Sequence, residues 1–141
     1  MEGLQGTVVI VDDSVVTTSQ LVPFFHGRLG LDVVAIGTDG VQAIELYRKH
    51  RPDIITLDVT MPNMDGYQAT KQIMSEFPDA TILIISSIRG DTILKCLEAG
   101  AKAYIEKPFR LNDTEKMAGV SELIRKLLST KTSDSVSDPG E

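Results

Sequence analysis

Three aspartates, a serine and a lysine each follow closely on a short apolar run, and together they could handle a phosphoryl group. Asp12-Asp13 follow Thr7 to Val11, Asp58 follows Asp53 to Leu57, Ser86-Ser87 follow Ala80 to Ile85, and Glu106-Lys107-Pro108 follow Ala103 to Ile105. Clustered carboxylates repel one another when all are ionised. A hard divalent cation relieves that repulsion through oxygen ligands, and Mg²⁺ takes roughly one or two carboxylates plus waters and phosphate oxygens. A carboxylate can also act as a nucleophile towards phosphorus, giving an aspartyl phosphate. Phosphoryl transfer asks the protein mainly for positioning and charge neutralisation. A metal, a lysine and a hydroxyl supply both.

For these residues to meet, the runs must be strands of one sheet. With Leu31 to Ile36 there are five runs, each rich in Val, Ile or Leu and none cleanly alternating apolar with polar. Strands buried on both faces of a parallel sheet read this way. Helix-length segments separate them. Val15 to Leu29 is the first, and its Pro23 should kink it or mark a late start. Asp39 to His50 is the second, with Asp39 as cap and Gln42 as capping-box partner. Gly66 to Phe77 and Asp91 to Ala99 follow. Asn112 to Ser129 is the fifth, with Asn112 and Glu115 as its cap signal and Val120, Leu123, Ile124, Leu127 and Leu128 as its apolar face. Strand and helix thus alternate, which predicts an α/β domain with a parallel sheet and right-handed crossovers. In such a sheet ligands bind outside the carboxyl ends of the strands, near the topological switch point. The five chemical residues all fall at those ends.

Composition narrows the class. The chain has 141 residues, 42% hydrophobic and 24% charged, which fits one soluble globular domain. Lys plus Arg is 14 and Asp plus Glu is 20, giving a net charge of −6. That argues against a nucleic-acid binder relying on bulk positive charge. No apolar run approaches the ~20 residues of a membrane span. The N-terminus shows no basic and apolar secretion signal, so a cytoplasmic location is expected. The single cysteine, Cys96, rules out an internal disulfide and a multi-cysteine metal site. Residues 130 to 141 have almost no apolar content and are expected to form a disordered tail after a domain at 1–129.

With these residues in place, the chain resembles a response-regulator receiver domain of two-component signalling, of the chemotaxis-type, single-domain kind. The matching motifs are Val9-Ile10-Val11-Asp12-Asp13-Ser14, Asp58-Val59-Thr60-Met61-Pro62-Asn63-Met64-Asp65-Gly66, Ser86-Ser87, Gly100-Ala101 and Tyr104-Ile105-Glu106-Lys107-Pro108-Phe109. The resemblance spans roughly residues 6–129, nearly the whole expected domain. It implies a three-layer, doubly wound, flavodoxin-like (βα)5 fold with strand order 2-1-3-4-5. It also implies roles. Asp58 is similar to the phosphoacceptor. Asp13 and Asp58 would bind Mg²⁺ directly with the backbone carbonyl of Thr60, and Asp12 would act through water. Lys107 would contact the phosphoryl group, with a cis peptide to Pro108. Ser86 would turn towards a phosphoryl oxygen, and Tyr104 would move inward as it does.

The expected function follows from the resemblance. The chain would be a stand-alone phosphoacceptor, a monomer or weak dimer, rather than a turnover enzyme. Its phosphodonor would be a sensor histidine kinase or phosphotransfer protein. Its output would be a protein target at the face of the fourth helix, fifth strand and fifth helix, with neither nucleic acid nor membrane as partner. Two rivals stand beside it. One is a receiver-fold interaction module that works without phosphorylation, which the full set Asp12, Asp13, Asp58, Ser86 and Lys107 disfavours. The other is an aspartyl-phosphate phosphatase, but Asp58-Val59-Thr60 lacks the second aspartate of an Asp-x-Asp nucleophile motif. Neither Gly-x-Gly-x-x-Gly nor a P-loop is present.

Overall fold

A computed structural model describes residues 3–137. Strands β1 (Thr7–Val11), β2 (Asp32–Gly37), β3 (Ile54–Leu57), β4 (Ile82–Ser86) and β5 (Ala103–Glu106) alternate with helices. These are α1 (Val15–Val22), α2 (Gly40–His50), α3 (Gly66–Glu76), α4 (Asp91–Glu98) and α5 (Thr114–Ser137). The strands form one sheet in the order β2-β1-β3-β4-β5, parallel throughout. The chain steps from β1 outward to β2, then back past β1 to β3, and on in one direction to β5. Right-handed crossovers therefore put α1 on one face and α2, α3 and α4 on the other. This is the three-layer, flavodoxin-like (βα)5 arrangement. The reversal of direction at β1 opens a crevice between the carboxyl ends of β1 and β3.

The middle of the sheet is dry on both sides. Val9, Val11, Ile55, Leu57, Ile82 and Ile84 share a core with Ala43, Ile44 and Tyr47 of α2, Ala69 and Ile73 of α3, and Ile93 and Cys96 of α4. The alternate set, Val8, Ile10, Ile54, Leu83 and Ile85, is buried as well. Burial on both faces explains why these strands read as unbroken apolar runs. It also holds Cys96 in the core, where desolvation pushes its thiol up. The two edge strands behave otherwise. Exposure in β2 alternates along Asp32–Ile36, and in β5 only Ile105 is buried. The expectation of burial on both faces thus holds for β3 and β4, and for β1 beyond its first residue, and fails at the edges.

Local chemistry corrects several expected boundaries. Pro23 does not simply kink the first helix. After Val22 the chain opens into a π-helical turn, Pro23–Arg28, with Leu29 N–H donating five residues back to Phe24 at 3.1 Å. A proline crowds the preceding turn and lacks an N–H, and widening the turn relieves the clash. The wide turn buries Phe24 and Phe25 edge-on, and Phe24 meets the ring of Phe109 at 5.2 Å. Asp39 caps α2 through Gln42 N–H as expected, but Gln42 does not complete a capping box; its side chain accepts from Thr38 N–H at 2.8 Å. The full box lies on α3, between Asp65 and Gln68. Helix α4 starts at Gly90, at φ 81°, with no side-chain cap.

The chain divides into two compact units, one ending at Phe109 and the other starting at Arg110. In the second unit Asp113, not Asn112, accepts from the Lys116 N–H at 3.2 Å at the start of α5. That helix continues to Ser137, into the segment expected to be disordered. Extending an existing helix costs each residue far less than starting one, so weakly apolar residues can be carried along. Residues 138–141 of the expected tail lie outside the described residues.

Candidate functional site

The site grows out of two strand ends. β1 stops at Val11, and Asp12 still pairs with the sheet, its N–H donating to Gly37 at 3.0 Å. The next turn is tied by Ser14. Its N–H donates to Asp12 Oδ1 at 2.9 Å, and its hydroxyl caps α1 by accepting from Thr17 N–H. One residue type thus both starts the helix and fixes the Asp12 carboxylate. Asp12 is 2% exposed, whereas Asp13 faces solvent. β3 stops at Leu57. Asp58 N–H donates to Val11 at 3.0 Å, which places Asp58 beside the end of β1. Its Oδ1 accepts from Val59 N–H at 2.7 Å. Asp12, Asp13 and Asp58 bring one carboxylate oxygen each to within 4.8 Å of one another.

Lys107 bridges two of them. Its Nζ lies 3.0 Å from Asp12 Oδ2, 3.3 Å from Asp12 Oδ1 and 3.2 Å from Asp58 Oδ2, and its side chain is 14% exposed. The Lys107–Pro108 peptide is cis. Burial pulls the lysine's pKa down, but the hydrogen bond and charge of Asp12, with those of Asp58, outweigh it. The net shift is upward from 10.5. Burial acts against Asp12, raising its pKa from 3.8 despite the Ser14 and Lys107 hydrogen bonds, and Asp58 adds to the rise. Asp12 Oδ2 is buried without a hydrogen bond of good geometry, its contact with Lys107 being purely electrostatic. A three-carboxylate set, oxygen only, with an unsatisfied buried oxygen, is suited to a hard divalent cation such as Mg²⁺.

The loop after Asp58 is braced from two sides. Gly66 N–H donates to Val59 at 2.8 Å, so the start of α3 folds back on the site. Asn63, at φ 66°, donates from Nδ2 to Asp39 Oδ2 at 2.6 Å, and Gly40 N–H donates to Met64 at 2.9 Å. The hydrogen bonds from Gln42 and Asn63 hold the Asp39 carboxyl below its usual range. Thr60 is exposed on this loop. Asp39, Asn63 and Gly66 were not singled out as site residues from the sequence. The Asp65-x-x-Gln68 cap signal could have drawn attention to this loop, whereas the Asp39–Asn63 contact spans elements and leaves no local trace.

Ser86 ends β4, buried, and its backbone carbonyl accepts from Lys107 N–H at 2.9 Å. Its hydroxyl accepts from Ile88 N–H at 3.1 Å. Tyr104 is half-buried, and its hydroxyl donates to the carbonyls of Ile88 at 2.9 Å and Ser86 at 3.3 Å. Asp12, Asp58 and Lys107 therefore meet directly, Asp13 joins at the solvent edge, and Ser86 and Tyr104 form a neighbouring cluster on β4 and β5.

The carboxylate cluster should cost stability. Asp12 binds its proton more tightly folded than unfolded, so stability falls as pH rises through the interval above 3.8 and remains lowered at pH 7. Asp12→Asn removes that penalty while Lys107 keeps Asp58 as partner. In metal-free buffer at pH 7 the variant is expected to melt a few degrees higher, about 1 kcal/mol, and to lose the slope in that acid interval. A lower melting temperature in differential scanning calorimetry would contradict this account of the cluster.

The response regulator receiver domain family matches residues 8–119. The chemotaxis protein CheY of Thermotoga maritima is 38% identical over 104 residues, covering 73% of this chain and 86% of the relative. A protein-glutamate methylesterase/protein-glutamine glutaminase of Myxococcus xanthus is 32% identical over 133 residues, but this chain spans only 38% of its length. Among solved structures, the CheX–CheY complex with beryllofluoride and Mg²⁺ from Borrelia burgdorferi contains a chain matching with a TM-score of 0.72 at 36% identity. The match covers 79% of this chain and 85% of that one. The response regulator domain of Thermotoga maritima CheB matches with a TM-score of 0.78 at 29% identity, covering 87% of this chain and 96% of that one. Among the described residues no helix is long and apolar enough to cross a membrane. With strand order, carboxylate cluster and family match in agreement, the chain belongs to the response regulator receiver domains, with CheY among its relatives.

Proposed function

We propose that this chain accepts a phosphoryl group on Asp58 from a histidine kinase or phosphotransfer protein of the cytoplasm, and thereby switches protein–protein contacts. The observation that carries this reading is the Lys107 ammonium spanning Asp12 and Asp58 at the switch point of the sheet. In the reaction an Asp58 oxygen forms a bond to phosphorus as the phosphorus–nitrogen bond to the donor histidine breaks, and the ring nitrogen keeps the electron pair. Lys107 lies against Asp58 and is fully protonated at neutral pH, so it neutralises charge on the transferring group without reorganising. Asp12, Asp13 and Asp58, with the Thr60 backbone carbonyl, would hold Mg²⁺, which supplies further charge neutralisation when bound. The Ser86 hydroxyl still has a proton to give while it accepts from Ile88, so it is free to donate to a phosphoryl oxygen. Tyr104 then reports on the Ser86 turn through its two carbonyl contacts, and α4 and β5 present the change to a protein target.

The test is a titration with beryllofluoride, a phosphoryl mimic, followed by amide and tyrosine-ring NMR. Saturable shifts are expected at Asp58, Ser86 and Tyr104 with Mg²⁺ and none with EDTA. Lys107→Ala should still bind Mg²⁺, but its shifts at Tyr104 should shrink. Shifts that persist in EDTA, or a full Tyr104 response in Lys107→Ala, would overturn the reading.

A further inference from the structure

The turn after β4 is gripped from one side of β5. Tyr104 and Glu106 lie two residues apart on that strand, so their side chains leave it on the same side. The Tyr104 hydroxyl holds the carbonyls of Ser86 and Ile88. Glu106 pairs with the guanidinium of Arg89. Three residues of one short turn are thus tied to two of one strand. Within the turn, Ile88 N–H points at Ser86 Oγ, so the backbone path through Ile88 sets where that hydroxyl lies. Beyond it, Gly90 precedes α4 at φ 81° with no side-chain cap, and only its carbonyl, accepting from Ile93 and Leu94 N–H at 3.1 and 3.2 Å, ties the turn to the helix. Lys107, the first residue past the end of β5, reaches the other way to Asp12 and Asp58.

We propose that Arg89 and Glu106 form a positioning brace, an ion pair that sets how often the Ser86–Gly90 turn occupies its Tyr104-bound arrangement. Arg89 is 76% exposed and Glu106 39%, so the pair sits in solvent and is screened by salt. It is a weak and adjustable brace rather than a lock, suited to tuning a two-state turn. Because Glu106 and Lys107 are consecutive, the brace and the Asp58 site share one strand end. What the turn responds to rests on the phosphoacceptor reading above; the brace itself does not.

The test uses the full chain without Mg²⁺ or beryllofluoride. NMR shifts of the Ser86, Ile88 and Gly90 amides and of the Tyr104 ring are recorded at low and high salt. Arg89→Ala and Glu106→Gln are each expected to change the Tyr104-bound population about two- to fivefold. The exchanged pair, Arg89→Glu with Glu106→Arg, should restore it. Added salt should move the wild type towards the single variants and leave those variants unmoved. An exchanged pair that behaves like the single variants, or salt that moves every form equally, overturns the brace and leaves the phosphoacceptor reading standing. A wild type that shows the salt effect but ignores beryllofluoride with Mg²⁺ supports the brace and overturns that reading instead.

Discussion

Asp58→Asn is expected to abolish phosphoryl acceptance while leaving the fold intact. The change is nearly isosteric. The amide oxygen can still accept from Val59 N–H, and Asp58 N–H still pairs with Val11 to hold the strand ends together. What goes is the proposed nucleophile, because an amide oxygen does not form a stable phosphoryl ester. Incubation with acetyl phosphate and Mg²⁺, followed by intact mass spectrometry, should show the phosphorylated species in the wild type and background in the variant. Mg²⁺ affinity should also drop, by about tenfold or more, since one carboxylate of the three-aspartate cluster is lost. Removing a neighbouring charge relieves part of what raises Asp12. The metal-free variant should therefore be no less stable than the wild type. A phosphorylated Asp58→Asn protein would move the acceptor to another carboxylate, and Asp13, exposed at the same cluster, would be the first to examine.

The carboxylate site was legible because it depends on few long-range facts. In a parallel sheet every strand end points to the same edge, so residues following apolar runs must converge there whatever the details of packing. Asp12, Asp58 and Lys107 follow that rule without exception. The central strands were legible for a related reason: β3 and β4 are buried throughout, and their sequence carries no polar face to confuse the reading. Edge strands lack that property, and the alternation in β2 is muted because its outward positions carry Val34 and Ile36, half-exposed yet apolar. The π-helical turn at Pro23 was legible only as a disturbance. Whether a proline kinks, ends or widens a helix is decided by what the following residues can bury, here Phe25 against Phe24 and Phe24 against Phe109. The Arg89–Glu106 pair left no local signal at all, since it depends on the register that sets Ser86 opposite Glu106. The same holds for Asn63 on Asp39, two residues brought together by a loop whose path no short window encodes.

Gly66→Ala is expected to be the most damaging single methyl in the chain. A Cβ at this position would lie 2.2 Å from the Asp58 carbonyl oxygen and 2.9 Å from Val59 Cα. Both neighbours are backbone, so no side-chain rotation relieves the contact. Nor can the helix slide away easily. Gly66 N–H is bonded to Val59, and the Asp65–Gln68 capping box fixes the first turn of α3 one residue before it. The clash must be relieved by moving the Asp58–Val59 peptide or the start of α3, at a cost of about 3 kcal/mol, the upper end for overpacking, or roughly 10 °C in melting temperature. The displaced peptide is the one that carries Asp58, the proposed acceptor. Molecules that remain folded should thus respond poorly to beryllofluoride at concentrations that saturate the wild type. Gly119→Ala is the matched control. It adds the same methyl inside α5, where a Cβ meets nothing within 4 Å, and should stabilise by about 0.5–1 kcal/mol through helix propensity alone. Chemical denaturation of the two variants side by side separates a packing effect from a backbone-entropy effect. If Gly66→Ala unfolds at the wild-type midpoint and still responds to beryllofluoride, the close approach of α3 to Asp58 does not constrain the site.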